Sequence, residues 1–157
     1  MRSNLVDFIN ESNKIEGIKA TKWRLQNEYP AYEMMLELEN ITLADLCNFN
    51  NIISGAPLRH TFKMDVYVGN HFPPRGGPDI ALRAKGLCRR FSAARNSDNE
   101  NYRARQAFHW HREYEKLHPF MDGNGRTGRL LWLYTMREIP DMPFLRAWYY
   151  QSLEFMV

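Results

Sequence analysis

The sequence has few features of a secreted or membrane-bound protein. Its 157 residues include only two cysteines, Cys47 and Cys88, whose spacing fits neither a metal site nor a redox motif. We therefore expect two reduced thiols, which is typical of a cytoplasmic protein. No apolar run reaches transmembrane length, so no membrane partner is expected. The chain does not open on a signal peptide either, because Asp7, Asn10 and Glu11 interrupt the first apolar residues.

The sequence also lacks a strong excess of charge of one sign. Its 21 lysines and arginines face 18 aspartates and glutamates, and the net charge is +3. Because the basic residues are scattered, we expect no nucleic-acid partner. There is no internal repeat, low-complexity tract or obvious linker. Apolar residues make up 44% of the chain and aromatic residues 13%, which predicts one folded domain over residues 1–157.

The spacing of apolar residues predicts a mainly helical, all-α domain. Thr42 is a typical N-cap, and Pro30 is expected to interrupt the second helix. The expected helices cover residues 4–13, 21–39, 43–53, 79–94, 99–117, 125–137 and 143–155.

One segment, residues 58–72, departs from the helical pattern. Phe62, Met64, Val66 and Val68 alternate with more polar residues, which is the period of a half-buried strand. A proline- and glycine-rich break follows. This pattern predicts a short β-hairpin.

The chemistry is concentrated in residues 118–129, where a glycine-rich turn leads into a helix. The motif reads His-Pro-Phe-Met-Asp-Gly-Asn-Gly-Arg-Thr-Gly-Arg. Gly123 and Gly125 can adopt positive φ, which lets successive backbone amides form a concave surface. The unpaired N–H groups and the dipole of a helix start both favour anions. The turn is therefore a candidate phosphate site.

Charged and titratable side chains flank the same turn. Arg126 and Arg129 are three residues apart and so lie on neighbouring positions of one helix face. Asp122 adds a carboxylate and His118 an imidazole. Together these residues predict a site for a polyphosphate with a base at its edge.

Other interpretations of the motif were weighed. The glycine spacing matches the dinucleotide fingerprint, but that fingerprint needs a preceding strand and a βαβ unit. A metal site formed by His109, His111 and His118 fails, because residues seven apart on a helix are about 10 Å apart along its axis. We expect His111 to be a packed or capping histidine. A bland helix connector with solvated arginines explains each residue singly but not the combination.

The motif resembles that of the Fic family, His-x-Phe-x-Asp/Glu-Gly-Asn-Gly-Arg-x-x-Arg. Every specified position is matched, by His118, Phe120, Asp122, Gly123, Asn124, Gly125, Arg126 and Arg129. The resemblance extends over the chain from about Leu58 onward. It implies the Fic fold, a helical bundle in which residues 58–72 form a hairpin flap over the site. It also implies a protein adenylyltransferase, which moves AMP from ATP to a Ser, Thr or Tyr hydroxyl of a target protein, the chain itself being one candidate.

The resemblance assigns a role to each motif residue. His118 would be the general base, Asp122 would hold Mg²⁺ at the α- and β-phosphates, and Phe120 would anchor the loop in the core. Arg126 would bind the β-phosphate region and Arg129 the γ-phosphate, while the turn backbone would bind the α-phosphate. The expected nucleotide-binding residues are thus Gly123, Asn124, Gly125, Arg126 and Arg129.

A second motif, Ser12-x-x-x-Glu16-Gly17, resembles the inhibitory helix of one class of Fic proteins. Residues 1–20 would form this helix, with Ser12 and Glu16 as regulatory residues. The resemblance implies that Glu16 pairs with Arg129 and so removes the counter-charge of the γ-phosphate. A solvated Glu16 on a surface helix is the simpler alternative.

Several functions stay open at this point. A related enzyme could transfer UMP, phosphocholine or phosphate, although phosphate-transferring relatives carry a changed loop with lysine. Glu16 could also position water for removing AMP from a modified target. A non-enzymatic alternative is a nucleotide-binding regulator or a toxin component.

Overall fold

The computed structural model describes residues 1–139, and these form six α-helices without a strand or sheet. The expected all-α fold is confirmed. The helix expected at 143–155 lies outside the described residues. None of the described helices has the length and hydropathy needed to span a membrane. The helices are α1 (Ser3–Ile15), α2 (Lys22–Glu37), α3 (Leu43–Ile53), α4 (Pro78–Arg95), α5 (Glu100–Leu117) and α6 (Asn124–Met136).

Local capping explains where the helices begin. Thr42 and Asp45 form a reciprocal capping box at α3, with the Asp45 N–H 3.2 Å from the Thr42 hydroxyl. Asn99 accepts the Tyr102 N–H at the start of α5. The expected break at Pro30 is wrong, because α2 continues through it. Proline removes one hydrogen bond there, and buried side chains on both sides, Tyr29 among them, hold the helix against the core.

The strands expected in residues 58–72 are not formed, and only the turn of the hairpin is present. Val68 and His71 make a single antiparallel bridge, with N–H···O distances of 3.3 and 2.9 Å. Alternation buries a strand face only if another layer covers it. Here Phe62 and Tyr67, which would point to opposite faces, are both about three-quarters exposed. Instead, the side chain of Arg59 binds the Met64 carbonyl in this segment and the Pro74 carbonyl just beyond it.

The last helix of the described chain, α6, lies in the centre of the bundle. From Asn124 to Thr135 every residue except Gly125 is buried. Its apolar residues pack with α1, α2, α3, α4 and α5 in one core, with buried aromatic and aliphatic partners that include Leu5, Phe8, Tyr32, Phe49, Phe91 and Tyr114. Burying each large apolar side chain stabilises the fold by about 1.5–3 kcal/mol. The polar first turn of α6 is therefore held in place by the packing of the rest of the helix.

Neither cysteine forms a disulfide in this fold, as expected. Cys88 is buried and Cys47 is half-buried. Burial raises the pKa of the Cys88 thiol to about 12, which keeps it protonated and unreactive.

Candidate active site

The motif joins the end of α5 to the start of α6 through a short, tightly bonded loop. His118 is the C-cap of α5 and adopts left-handed backbone angles, with φ 48° and ψ 64°. That conformation is uncommon for a residue with a side chain. Gly123 is the N-cap of α6 with φ 86°. The two left-handed residues turn the chain so that the imidazole and the helix start border one pocket.

The side chain of Asn124 closes this loop. Its Oδ1 accepts the Phe120 N–H at 2.9 Å, and its Nδ2 donates to the Phe120 carbonyl at 2.7 Å. Phe120 itself is buried in the core, as expected. Asn50 of α3 supports the loop from behind by donating to the Asp122 carbonyl at 3.1 Å. A Cβ at Gly123 would lie 2.2 Å from the Asn50 Oδ1, so only glycine fits this turn.

The pocket beside the loop has a volume of about 650 Å³. The N-terminus of α6 opens into it, and the N-cap residue Gly123 has no side chain to bind the first N–H groups. These donors and the helix dipole favour an anion at this point. The pocket is lined by Glu16, Ile18, residues 65–68, His118 and residues 121–126.

His118 has the features of a base at the edge of this pocket. Its Nδ1 lies 2.5 Å from the Glu115 carbonyl, which can only accept, so Nδ1 carries the proton. The other ring nitrogen, Nε2, then carries the lone pair. Burial lowers the pKa of the imidazole, and the nearby charge of Arg59 lowers it further. The ring is therefore neutral at pH 7 and able to accept a proton.

Asp122 gives the pocket an exposed carboxylate. One oxygen accepts the Gly123 N–H at 2.8 Å, and the group lines the pocket. Within residues 1–139 no cluster of three or more His, Cys, Asp or Glu side chains could hold a metal. Mg²⁺ does not need such a cluster, because one or two carboxylates with phosphate oxygens and water are its usual ligands. The donor set at Asp122 therefore fits Mg²⁺ that arrives with a nucleotide.

Both motif arginines are buried, so the interpretation of a connector with solvated arginines is wrong. Arg126 is 4% exposed and donates to the Ile53 carbonyl at 2.8 Å, and it also lines the pocket. Arg129 is fully buried. Its guanidinium donates to the Ser12 hydroxyl at 2.8 Å and to the Ser12 carbonyl at 2.9 Å. Helix α1 thus contacts the motif directly.

The expected contact between Glu16 and Arg129 is present. The Glu16 Oε1 lies 2.8 Å from the Arg129 Nη2, and the glutamate side chain is 37% exposed. The same oxygen lies 2.1 Å from where a Cβ at Gly125 would be. The carboxylate therefore sits over the first turn of α6, at the place where the dipole and the open N–H groups favour an anion.

Sequence reasoning missed several residues that support the site. Arg59 is fully buried and donates to the His118 carbonyl at 2.6 Å. Glu115 is buried against Gly128, where a Cβ would lie 2.3 Å from its Oε1. The spacing of apolar residues gives no information about single polar residues, so the sequence did not show that Arg59 and Glu115 would be buried beside the site. His111 is buried and bonded to the Gly128 carbonyl, as expected, whereas His109 is exposed.

Comparison with known proteins agrees with this geometry. A model of the Fic/DOC family matches residues 33–136, and the chain belongs to that family. It is similar to proteins named protein adenylyltransferase Fic, at 36% identity over 132 residues in Drosophila grimshawi. The corresponding protein of Drosophila persimilis is 34% identical and that of Culex quinquefasciatus 31% identical. Each match covers 78% of this chain and 23–24% of the relative, so the chain spans about a quarter of those proteins.

Proposed function

We propose that this chain is a protein adenylyltransferase, which transfers AMP from ATP to a hydroxyl group of a target protein. The observation that carries the proposal is the meeting, in one pocket, of the open N-terminus of α6 with a neutral imidazole and buried arginines. The names of the relatives support the same activity.

In the proposed reaction the target's hydroxyl oxygen attacks the α-phosphorus of ATP. A bond forms between that oxygen and phosphorus, and the bond from the α-phosphorus to the bridging oxygen breaks to release pyrophosphate. The hydroxyl proton passes to Nε2 of His118. Such in-line transfer depends mainly on positioning and charge stabilisation, which a rigid helix start provides.

Different motif residues bind different parts of the nucleotide. The backbone from Gly123 to Gly125 binds the α-phosphate, and Asn124 keeps that backbone in shape through its bonds to Phe120. Arg126 binds the β-phosphate region, and Arg129 binds the γ-phosphate. Asp122 would hold Mg²⁺, which when bound neutralises phosphate charge and orients the tail of ATP.

Glu16 restrains this reaction in the proposed function. Its carboxylate lies against Arg129 and over Gly125, where phosphate oxygens of ATP would need to be. Two anions cannot share one arginine and one helix start without strong repulsion. ATP would then bind with its tail displaced, and the α-phosphorus would not be in line with the hydroxyl.

The target is a protein with a Ser, Thr or Tyr hydroxyl, and the chain itself is included. Residues 65–68 line the pocket, so an extended target segment would lie along them. Tyr67 and Phe72 are exposed there and contact each other edge to face. We place the reaction in the cytoplasm because both thiols are unbonded.

Labelling with two forms of ATP tests the proposal. The Glu16→Gly variant is incubated with a host lysate and with ATP labelled at either the α- or the γ-phosphate. Because host kinases also transfer the γ-phosphate, each labelling is compared with that of the double variant Glu16→Gly/His118→Ala. We expect covalent label above this background from α-labelled ATP only. Label above the background from γ-labelled ATP would indicate phosphate transfer instead. ATP binding without any covalent label above the background would indicate a nucleotide-binding regulator.

A further inference from the structure

We infer that Arg59 is a positioning residue that fixes the imidazole of His118 relative to the loop over the pocket, which is residues 60–77, with residues 65–68 lining the pocket. The inference rests on the proposed function, in which His118 is the base. No motif contains Arg59, and it contributes nothing to the lining of the pocket.

The contacts of the Arg59 side chain carry the inference. The side chain is fully buried and bonds four backbone carbonyls from two separate segments. At the end of α5, Nε donates to the His118 carbonyl at 2.6 Å and Nη2 to the Leu117 carbonyl at 2.8 Å. On the loop over the pocket, Nη1 donates to the Pro74 carbonyl at 2.8 Å and to the Met64 carbonyl at 3.2 Å.

The backbone of Arg59 joins the same segments. Its N–H donates to the Pro119 carbonyl at 2.8 Å, and its carbonyl accepts the Gly77 N–H at 3.0 Å, next to the start of α4. Leu58 forms an isolated bridge with Phe120. One residue therefore holds the first part of the motif, the pocket loop and the start of α4 at fixed separations.

The positively charged guanidinium of Arg59 lies at the C-terminal end of α5. The last carbonyls of α5 have no partners within the helix, and the negative end of its dipole favours a positive group. His118 follows in a left-handed conformation that needs support from its surroundings. No carboxylate in residues 1–139 makes an ion pair with Arg59. Its charge is compensated by the carbonyls of His118 and Leu117 and by the nearby carboxylate of Asp65, which opposes the lowering of the Arg59 pKa by burial.

Arg59 also acts on the imidazole through its charge. Burial, Arg59 and His71 lower the pKa of His118, while the hydrogen bond to the Glu115 carbonyl and the charge of Glu16 raise it. Lysine would keep the charge but not the bonding, because its three donors radiate from one atom and cannot reach four carbonyls in a plane. The two substitutions Arg59→Lys and Arg59→Gln therefore separate geometry from charge.

The experiment compares both substitutions in the Glu16→Gly background. Arg75→Gln is the matched control, because Arg75 is an exposed arginine of the same loop, 3.6 Å from Asp65. AMP transfer is measured as kcat, KM for ATP and a pH profile, and the His118 ring is titrated by NMR. The folded fraction of each variant is taken from its near-UV circular dichroism.

We expect Arg59→Lys to lower kcat by about 10- to 100-fold per folded molecule, because a misplacement of about 1 Å costs about that much. KM for ATP stays within about twofold, since Arg59 does not line the pocket. The His118 titration stays in place in Arg59→Lys and moves to higher pH in Arg59→Gln. The control changes none of these.

An unchanged kcat in folded Arg59→Lys would overturn the inference. So would a loss that follows only the folded fraction, a loss confined to KM, or the failure of both variants to fold. If the Glu16→Gly parent transfers no AMP, the proposed function fails. The NMR titration then decides alone, and a His118 pKa that is the same in Arg59→Gln and the parent overturns the inference.

Discussion

At the scale of single residues, the site depends on groups whose ionisation is set by burial. Arg129 is a fully buried cation that donates hydrogen bonds to Ser12 of α1 and to Glu16, the C-cap of α1. His118 is a partly buried imidazole whose neutral form is favoured. Arg129 stays charged at any accessible pH, whereas the ability of His118 to accept a proton depends on pH.

The pH dependence of AMP transfer follows from the lowered pKa of His118. The ring stays unprotonated at a pH where an ordinary histidine, with a pKa of about 6.5, is half protonated. In the Glu16→Gly variant the carboxylate that raises the pKa is also absent. We expect the acid limb of kcat/KM, which reports the protein without bound ATP, to lie below pH 6.5, measured from initial rates of labelling. An acid limb above that pH would contradict the account, and the His118→Ala double variant serves as the background.

At the scale of elements, the helices were predictable because burial of one face imposes a period. The span of α3 was predicted correctly, and α4 and α6 differ from expectation by one residue at each end. Residues 58–72 were not predictable in the same way. Their alternation indicated strands, but a buried arginine, rather than a partner strand, binds the Met64 carbonyl and the Pro74 carbonyl just beyond the segment.

The attachment of α1 gives a prediction about regulation. Asn13, which is buried beside Ser12, donates to the Glu28 carboxylate at 2.9 Å, and Arg24 holds Glu28 at 3.0 Å. Losing a hydrogen bond to a charged group costs about 1.5–3 kcal/mol. We expect Asn13→Ala to raise AMP transfer by about tenfold or more, since 1.4 kcal/mol is a factor of ten.

The matched control is Lys14→Ala, which changes an exposed neighbour on the same helix. Its rate should equal that of the wild type. The rate of Asn13→Ala should not exceed that of Glu16→Gly, because both act by freeing Arg129. If Asn13→Ala leaves the rate unchanged, α1 is held by other contacts and the account of its attachment is wrong.

Two helical glycines test the packing of α5 on α6. A Cβ at Gly128 would lie 2.3 Å from the Glu115 Oε1 and 3.1 Å from a Tyr114 ring carbon, whereas a Cβ at Gly86 meets nothing within 4 Å. We expect Gly128→Ala to lower the free energy of unfolding by about 1–3 kcal/mol through overpacking. Gly86→Ala should raise it by about 0.5–1 kcal/mol. Urea unfolding measures both, and equal stabilities would refute the close approach of the two helices.

At the scale of the whole molecule, the site lies on a core with buried ionisable groups. Burial raises the pKa of Glu115 to about 8 and lowers that of His111 to about 4, so both are neutral at pH 7. Their side chains approach to 3.7 Å. The sequence did not indicate that His111 and Glu115 have shifted pKa values, because their burial depends on the fold.

Stability should therefore fall as pH rises from about 7 to 8. In that range the unfolded chain has lost the Glu115 proton, the folded protein keeps most of it, and His111 is largely neutral in both states. The folded state then binds more protons, which gives a slope of at most about 1.4 kcal/mol per pH unit. Below pH 6.5 the protonation of His111 in the unfolded chain opposes this trend.

Unfolding by urea at several pH values tests this slope. We expect Glu115→Gln to remove it, because the amide does not ionise. The control Glu113→Gln, at a half-exposed position of the same helix, should keep it. A slope that survives in Glu115→Gln would show that another group is responsible.

The prediction from sequence was most complete where chemistry is local and least complete where it depends on contacts between distant segments. The motif from His118 to Arg129 was predicted to bind phosphate from its residue types alone, and the structure brings His118, Asp122 and Arg126 to one pocket. The contact of Arg129 with Glu16 was expected only through a resemblance, since the two residues are 113 positions apart. The role of Arg59 required the fold, because its four acceptors lie in separate segments.

The central claim is that Glu16 and the phosphates of ATP compete for Arg129 and the start of α6. The most direct measurement is the initial rate of AMP incorporation by the wild type and by Glu16→Gly, at equal protein and saturating ATP, with the same target mixture. The account predicts that the variant is faster by at least about tenfold, the factor that corresponds to 1.4 kcal/mol. Equal rates in two active, folded proteins would contradict it.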